Sequence, residues 1–290
     1  MPSPIAPEED LSSYTSIFNP ETLTRKGLCP VTKIRHQDSL QSHSLYFEQH
    51  GNGPEKILFI MGTGGMAEDA IVLLDYLGWK GDREVHVVGV SLGGMIAQEL
   101  ATRIPERIAS LTLTVTTAGG SSFNNLPPWK GFSSLARLMV VTEPHAKMAI
   151  IYDMMYPSSW LAEKALNDPE GRTNAELLKE DYLRRFELTP PQTLGGAVSQ
   201  MAAGLTHSVS KARLVRIAST IPKVLIVTGD VDHLVAPTNS KYLSQCMPQA
   251  EYVIFENTGH GLCIQRKERY NALLEKVFAE GREKSTANSS

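Results

Sequence analysis

The fold is decided by the stretch VHVVGVSLGGM, residues 85–95. Its first half is mostly valine, a β-branched residue that favours strands, and a short apolar run of this kind is typical of a buried strand. A glycine-rich turn follows at once, and the apolar residues from Met95 onward begin a helical pattern. The stretch therefore predicts a strand, a sharp turn and a helix in immediate succession.

Four other apolar runs end in glycine-rich turns and predict further strands, at residues 56–61, 110–117, 223–228 and 251–255. Such runs suit strands that are buried on both faces of a parallel sheet. Amphipathic patterns between them predict helices, at residues 66–77, 95–102 and 270–278. Strands that alternate with helices favour an α/β fold with a mostly parallel sheet. We also predict an antiparallel pair of strands near the N-terminus, at about residues 31–36 and 44–49.

Residues 121–221 show helical periodicity without strong strand runs, so we predict that they form a helical cap insertion over the carboxyl edge of the sheet. Ligands bind at that edge in open α/β sheets. At any single cap position, however, a methionine or tryptophan is better explained by the packing of the insertion itself than by ligand binding. We assign residues 1–30 to an N-terminal extension and residues 31–120 and 222–280 to the α/β core. We expect residues 281–290 to form a disordered tail.

Composition and charge exclude several classes of protein. With 42% hydrophobic and 20% charged residues among 290, the chain is typical of a folded globular protein. The net charge of −3 leaves no basic surplus for nucleic-acid binding. Three cysteines are too few for a disulfide framework or a zinc site, and no apolar run approaches the ~20 residues of a membrane span. We expect a cytoplasmic protein without a secretory leader; its oligomeric state is not indicated.

Ser91 lies in the pattern Gly-x-Ser-x-Gly, between the predicted strand and the predicted helix. This is the setting of a nucleophile elbow, in which glycines let strand and helix close on a strained serine. The hydroxyl of Ser91 would then project into a site, beside a free Leu92 N–H at the helix N-terminus. The alternative is a glycine-rich turn with an ordinary N-cap serine.

A serine nucleophile needs a base, and the base needs an acid that orients it. Asp232 and His260 each follow a predicted strand, and the order Ser91, Asp232, His260 is that of an α/β-hydrolase triad. Asp230 is a rival acid that is better explained as a turn residue, and His233 is expected to face solvent or the cap.

A cysteine nucleophile is not favoured, because neither Cys29 nor Cys263 lies in a strand–helix elbow. A nucleotide-binding site is not favoured either, because the glycine-rich turns give neither G-x-G-x-x-G nor a Walker lysine.

On these motifs, residues 45–280 resemble the α/β-hydrolase superfamily, in the branch with a single cap domain. The resemblance is carried by Phe59–Gly62, Val88–Met95, Gly229–Pro237 and Gly259–Gly261. It implies Ser91 as nucleophile, His260 as base and Asp232 as orienting acid. The backbone N–H groups of Thr63 and Leu92 would form the oxyanion hole. It implies a small-molecule substrate with an ester, thioester, lactone or amide carbonyl, and neither a metal nor another cofactor.

The chain departs from the family at two places. Met61-Gly62 stands where the family usually has His-Gly, which is tolerable because the oxyanion donor is a backbone group. The interval from Gly62 to Ser91 is only 29 residues (91 − 62), and the family has a further strand and helix there. We therefore predict that one strand–helix unit is missing between Gly65 and Met66, by splicing, a gene-model error or natural deletion. The strand before the gap would then have an unpaired edge.

Three functions follow from these residues. The first is a serine hydrolase of a small carboxylic ester, thioester or lactone. The second is a catalytically impaired protein of the same fold, a truncated isoform that binds a small ligand under its cap. The third, a cofactor-free haloperoxidase-like or C–C-bond hydrolase activity, would use the same triad.

Restoring the missing unit should stabilise the protein, because an open apolar edge of the sheet would be covered and paired. We expect a higher melting temperature and higher activity when a strand–helix unit from a full-length relative is inserted between Gly65 and Met66. Thermal unfolding of the two proteins side by side measures this. Equal melting temperatures would contradict the interpretation of a missing unit.

Overall fold

The computed structural model describes residue 16 and residues 18–31, 44–60, 67–120, 125–188 and 194–287. Two strands near the N-terminus, β1 (Leu23–Pro30) and β2 (Ser44–His50), form an antiparallel sheet of their own. The predicted partner of β2, at about residues 31–36, lies outside the described chain after residue 31. The partner that the structure shows is β1, which lies within the residues assigned to an N-terminal extension. Its polar residues Arg25 and Lys26 and its Gly27 hid the strand pattern.

The central sheet has five parallel strands in the described chain. They are β3 (Lys56–Ile60), β4 (Val85–Val90), β5 (Ile108–Thr114), β6 (Lys223–Gly229) and β7 (Glu251–Phe255). Their spatial order follows the chain order, from β3 at one edge to β7 at the other. The strands β4, β5 and β6 are buried along their whole length, which accounts for their continuous apolar sequences.

Helices cover both faces of this sheet. One face packs against α1 (Ala67–Leu77), α2 (Leu92–Arg103), α8 (Lys211–Thr220) and α9 (Pro237–Cys246). The other face packs against the short α10 (Leu262–Gln265) and the long α11 (Lys267–Ala287). The prediction of an α/β fold with a mostly parallel sheet is confirmed.

Five helices of the described chain lie between β5 and α8, in the segment for which the sequence predicts a helical cap insertion. They are α3 (Trp129–Val140), α4 (Pro144–Met155), α5 (Ser158–Ala162), α6 (Asn174–Leu188) and α7 (Leu194–Thr206). The predicted boundary at residue 221 was too late, because α8 belongs to the core. Leu214 and Ile217 of α8 are fully buried in the cluster that includes α2.

The predicted disordered tail at residues 281–290 was also wrong as far as Ala287. Helix α11 continues through this segment, and Gly281 lies so close to β5 that a Cβ there would be 2.8 Å from the Ser110 Cβ. Arg282 binds Glu55 and donates to the Arg83 carbonyl at 2.7 Å. Residues 288–290 lie outside the described chain.

Strand β3 pairs with β4 alone among the strands that the structure describes, and β1–β2 is separate from it. This arrangement is the one expected if a strand is missing beside β3. The junction of Gly65 and Met66 itself lies outside the described residues, so the missing unit stays a prediction. In the described ranges, no helix is long and apolar enough to cross a membrane.

Acid should destabilise the fold through His207, which follows α7 where the chain returns to the core. Burial lowers the pKa of His207 from 6.5 to about 4; Glu99 opposes this shift and Arg213 adds to it. Between about pH 6.5 and pH 4 the His207 side chain is protonated in the unfolded chain but neutral in the folded chain. The free energy of unfolding therefore keeps its full value above about pH 6.5 and decreases as the pH falls toward 4.

We expect His207→Gln to flatten this part of the stability profile, measured by urea unfolding at several pH values from 7 to 4. Burial also lowers the pKa of His86 and His233, so the free energy of unfolding of the variant should still depend on pH to some extent. Replacing the exposed His145 by Gln is the matched control and should leave the slope as it is. An unchanged slope in His207→Gln would contradict the assignment.

Candidate active site

Ser91 lies in the turn between β4 and α2 with a strained backbone, at φ 58° and ψ −121°. A non-glycine residue rarely adopts positive φ, and the surrounding structure must hold it there. Two hydrogen bonds do so: the Ser91 N–H donates to the Thr114 carbonyl at 2.9 Å, and the Thr116 hydroxyl donates to the Ser91 carbonyl at 2.7 Å. The strand β5 and the residues just after it therefore fix the backbone of the turn.

Two glycines allow the helix to approach the sheet this closely. A Cβ on Gly89 would lie 2.5 Å from the Gly93 carbonyl oxygen and 2.7 Å from the Ala97 Cβ. A Cβ on Gly94 would lie 2.6 Å from the Cβ of Thr116. Side chains at either position would push α2 away from β4 and β5, so the glycines serve the close packing that the sequence pattern predicted.

Ser91, His260 and Asp232 form a continuous line of hydrogen bonds. His260 Nε2 lies 3.0 Å from Ser91 Oγ, and His260 Nδ1 lies 2.7 Å from Asp232 Oδ2. Both His260 and Asp232 are buried, at 6% and 3% exposed. If Nδ1–H donates to the carboxylate, Nε2 is left as the acceptor for the serine hydroxyl, which is the arrangement of a general base.

The carboxylate of Asp232 is itself held in place. Its Oδ1 accepts the backbone N–H groups of Leu234 at 2.7 Å and Val235 at 2.9 Å, while Oδ2 faces His260. These donors satisfy one oxygen of the buried carboxylate and hold the other in its orientation toward the imidazole. The rival acid Asp230 is exposed and accepts the Thr258 N–H at 3.1 Å, as a turn residue does.

The structure describes only one of the two predicted oxyanion donors, Leu92. Leu92 is the first residue of α2, where backbone N–H groups have no partner within the helix and the helix dipole favours negative charge. A backbone N–H at such a position can donate a hydrogen bond to an anion. Thr63 lies outside the described residues.

Other nucleophiles and ligands are poorly placed. Burial raises the pKa of the Cys263 thiol to about 11, so this cysteine stays protonated at neutral pH. Cys29 is buried in a small cluster with Phe47 and Leu73. In the part of the chain that the structure describes, no three His, Cys, Asp or Glu side chains are grouped so that they could hold a metal ion.

Two residues that support the site were not identified from the sequence. Thr116 holds the Ser91 carbonyl, and Gln265 binds both sides of the loop before His260: its Oε1 accepts the Gly259 N–H at 2.9 Å, and its Nε2 donates to the Asn257 carbonyl at 2.7 Å. The only signal for Gln265 is its position, a polar side chain five residues after His260 in an apolar segment.

Comparisons with known proteins identify the family of this fold. The family described as "alpha/beta hydrolase fold" matches residues 56–267. Rhodomycin D methylesterase DauP of Streptomyces sp. strain C5 is 26% identical, over 84% of this chain and 79% of that relative. The pimeloyl-[acyl-carrier protein] methyl ester esterase of Vibrio parahaemolyticus is 24% identical, over 82% and 80%.

A solved structure with a similar fold is that of 2-hydroxy-6-oxo-6-phenylhexa-2,4-dienoate hydrolase from Rhodococcus sp. strain RHA1. Its TM-score is 0.55 at 19% identity, and the match covers 76% of this chain and 78% of that one. At this identity the likeness shows the fold alone.

Gly89→Ala should destabilise the protein by about 1–3 kcal/mol or more, because the added Cβ meets the backbone of α2 rather than a movable side chain. Urea unfolding measures the change. Gly204→Ala in α7 is the matched control: nothing lies within 4 Å of a Cβ there, so we expect a gain of about 0.5–1 kcal/mol. A Gly89→Ala protein as stable as the wild type would refute the packing argument.

Proposed function

Because the chain belongs to the α/β hydrolase family, we propose that it is a serine hydrolase of small carboxylic esters, thioesters or lactones. The observation that carries the proposal is the line of hydrogen bonds from Ser91 through His260 to Asp232. The methyl esterases among its relatives support an ester as substrate.

The proposed reaction has two halves. Ser91 Oγ attacks the carbonyl carbon while His260 Nε2 accepts the hydroxyl proton, and Leu92 N–H stabilises the oxyanion. The tetrahedral intermediate collapses, and the alcohol or thiol leaves with the proton from His260. Water then attacks the acyl-enzyme with His260 again as base, which releases the acid and restores Ser91. Asp232 orients the imidazole and stabilises its charged form throughout.

This chemistry is carried by side chains and backbone groups, with neither a metal nor a cofactor in the proposed mechanism. The proposed partner is a small molecule that reaches the site between the cap and the carboxyl edge of the sheet. The cysteines Cys29 and Cys246 are buried free thiols, which suits the reducing cytoplasm as the place of reaction.

A second candidate function is a catalytically impaired protein that binds a small ligand under its cap. The observation that favours it is the edge of β3, which pairs with β4 alone within the described chain. The predicted oxyanion residue Thr63 follows this strand, and a missing neighbour would leave its loop with less support.

Labelling with a fluorophosphonate probe separates the two functions, because the probe reacts only with an activated serine. We expect the wild-type protein to be labelled and Ser91→Ala to lose labelling completely. Asp232→Asn should slow the reaction about 10⁴-fold, because the imidazole would take the wrong tautomer.

Ser219→Ala removes an exposed serine on α8 and should label as the wild type does. A folded wild-type protein that fails to react with the probe would favour the binding function instead.

A further inference from the structure

The loop that carries His260 is in direct contact with the cap. The Gly261 N–H donates to the carbonyl of Met155, the last residue of α4, at 3.1 Å. A Cβ on Gly259 would lie 2.3 Å from the same Met155 oxygen. Cap backbone and loop backbone therefore meet on both sides of His260, without side chains between them.

The ring of Tyr156 extends this contact. A Cβ on Gly261 would lie 2.2 Å from Tyr156 Cε1 and 2.4 Å from Cζ. Tyr156 is 4% exposed, and behind it lies the buried Trp160, stacked with ring centroids 5.1 Å apart and planes at 29°. The aromatic pair therefore forms a rigid wall against the loop.

The glycines of this loop allow the cap to approach the loop closely; they are not required by the backbone conformation. Neither Gly259 nor Gly261 has a positive φ, and Gly261 has φ −76°. An alanine would fit the backbone at either position, but its Cβ would collide with the cap. On its inner side the same loop is held by Gln265 through the Gly259 N–H and the Asn257 carbonyl. The loop is thus confined between Gln265 of the core and Tyr156 of the cap.

We propose that Tyr156 is a positioning residue through which the cap sets the distance from His260 to Ser91. The proposal rests on the proposed function of Ser91 and His260. The ring acts by its shape, because the Tyr156 hydroxyl makes no hydrogen bond with the described residues, whereas the ring fills the space between Gly261 and Trp160. Removing the ring lets the loop move outward and lengthens the 3.0 Å contact between His260 Nε2 and Ser91 Oγ.

The first test compares variants by their rate of fluorophosphonate labelling and by turnover of p-nitrophenyl acetate. Tyr156→Phe should keep both rates near the wild-type values. Tyr156→Ala should lower the labelling rate, kcat and kcat/KM by about 10- to 100-fold, the scale expected when a catalytic group is misplaced by about an ångström. Tyr182→Ala removes another cap ring, one that packs on Tyr152 rather than on Gly261, and should leave the rates unchanged.

The second test uses the steric relation between Gly261 and Tyr156. Gly261→Ala alone should lose labelling, because its Cβ collides with the ring. The double variant Gly261→Ala/Tyr156→Ala removes the collision and should label at least several-fold faster than Gly261→Ala alone. Two independent defects would instead combine to give the slowest protein of the set.

A third readout does not need activity. The imidazole Nδ1–H shared with Asp232 should give a low-field proton resonance, which Tyr156→Ala shifts or broadens and which Tyr156→Phe and Tyr182→Ala preserve. Wild-type labelling tests the proposed function, whereas the resonance and the ratios between variants test the role of Tyr156. A Tyr156→Ala protein with the wild-type resonance, or a double variant no faster than Gly261→Ala, would overturn the inference.

Discussion

The close approach of α2 to the sheet at Gly89 and Gly94 is the constraint on which the site depends. With no Cβ at these positions, the first turn of the helix lies directly on β4 and against Thr116. The chain passes from strand to helix through Ser91, a residue at positive φ. The strain at that residue is offset by the burial of β4, β5 and α2, and it directs one hydroxyl to the carboxyl edge of the sheet.

The parallel topology brings the other two groups to the same place. Asp232 follows β6 and His260 follows β7, and parallel strands all end at one edge, so residues distant in sequence meet there. The core fixes the inner side of each loop through backbone hydrogen bonds and Gln265. On its outer side the His260 loop contacts Met155 and Tyr156, which belong to the helical segment between β5 and β6.

The central strands and the positions of Ser91, Asp232 and His260 could be predicted from the sequence, because they depend on local patterns. The valine-rich run with its glycines defined β4, Ser91 and α2, and the position of Asp232 and His260 after apolar runs predicted their convergence. Strand β1 was missed because Arg25, Lys26 and Gly27 break its pattern, and it is held by pairing with β2 rather than by its own propensity. The contact of Tyr156 with Gly261 could not be predicted for another reason: a packing contact between residues 105 positions apart (261 − 156) leaves no local signal.

The small sheet of β1 and β2 has a smaller apolar core than the central sheet, so we expect its local stability to be lower. Its apolar cluster, Cys29 and Phe47 with Leu73 of α1, is separate from the two clusters that flank the central sheet. A unit with few buried contacts of its own opens at a lower free energy than the sheet beside it. Amide protons of β1 and β2 should therefore exchange with solvent through local opening, while those of β5 and β6 exchange only when the whole fold is lost.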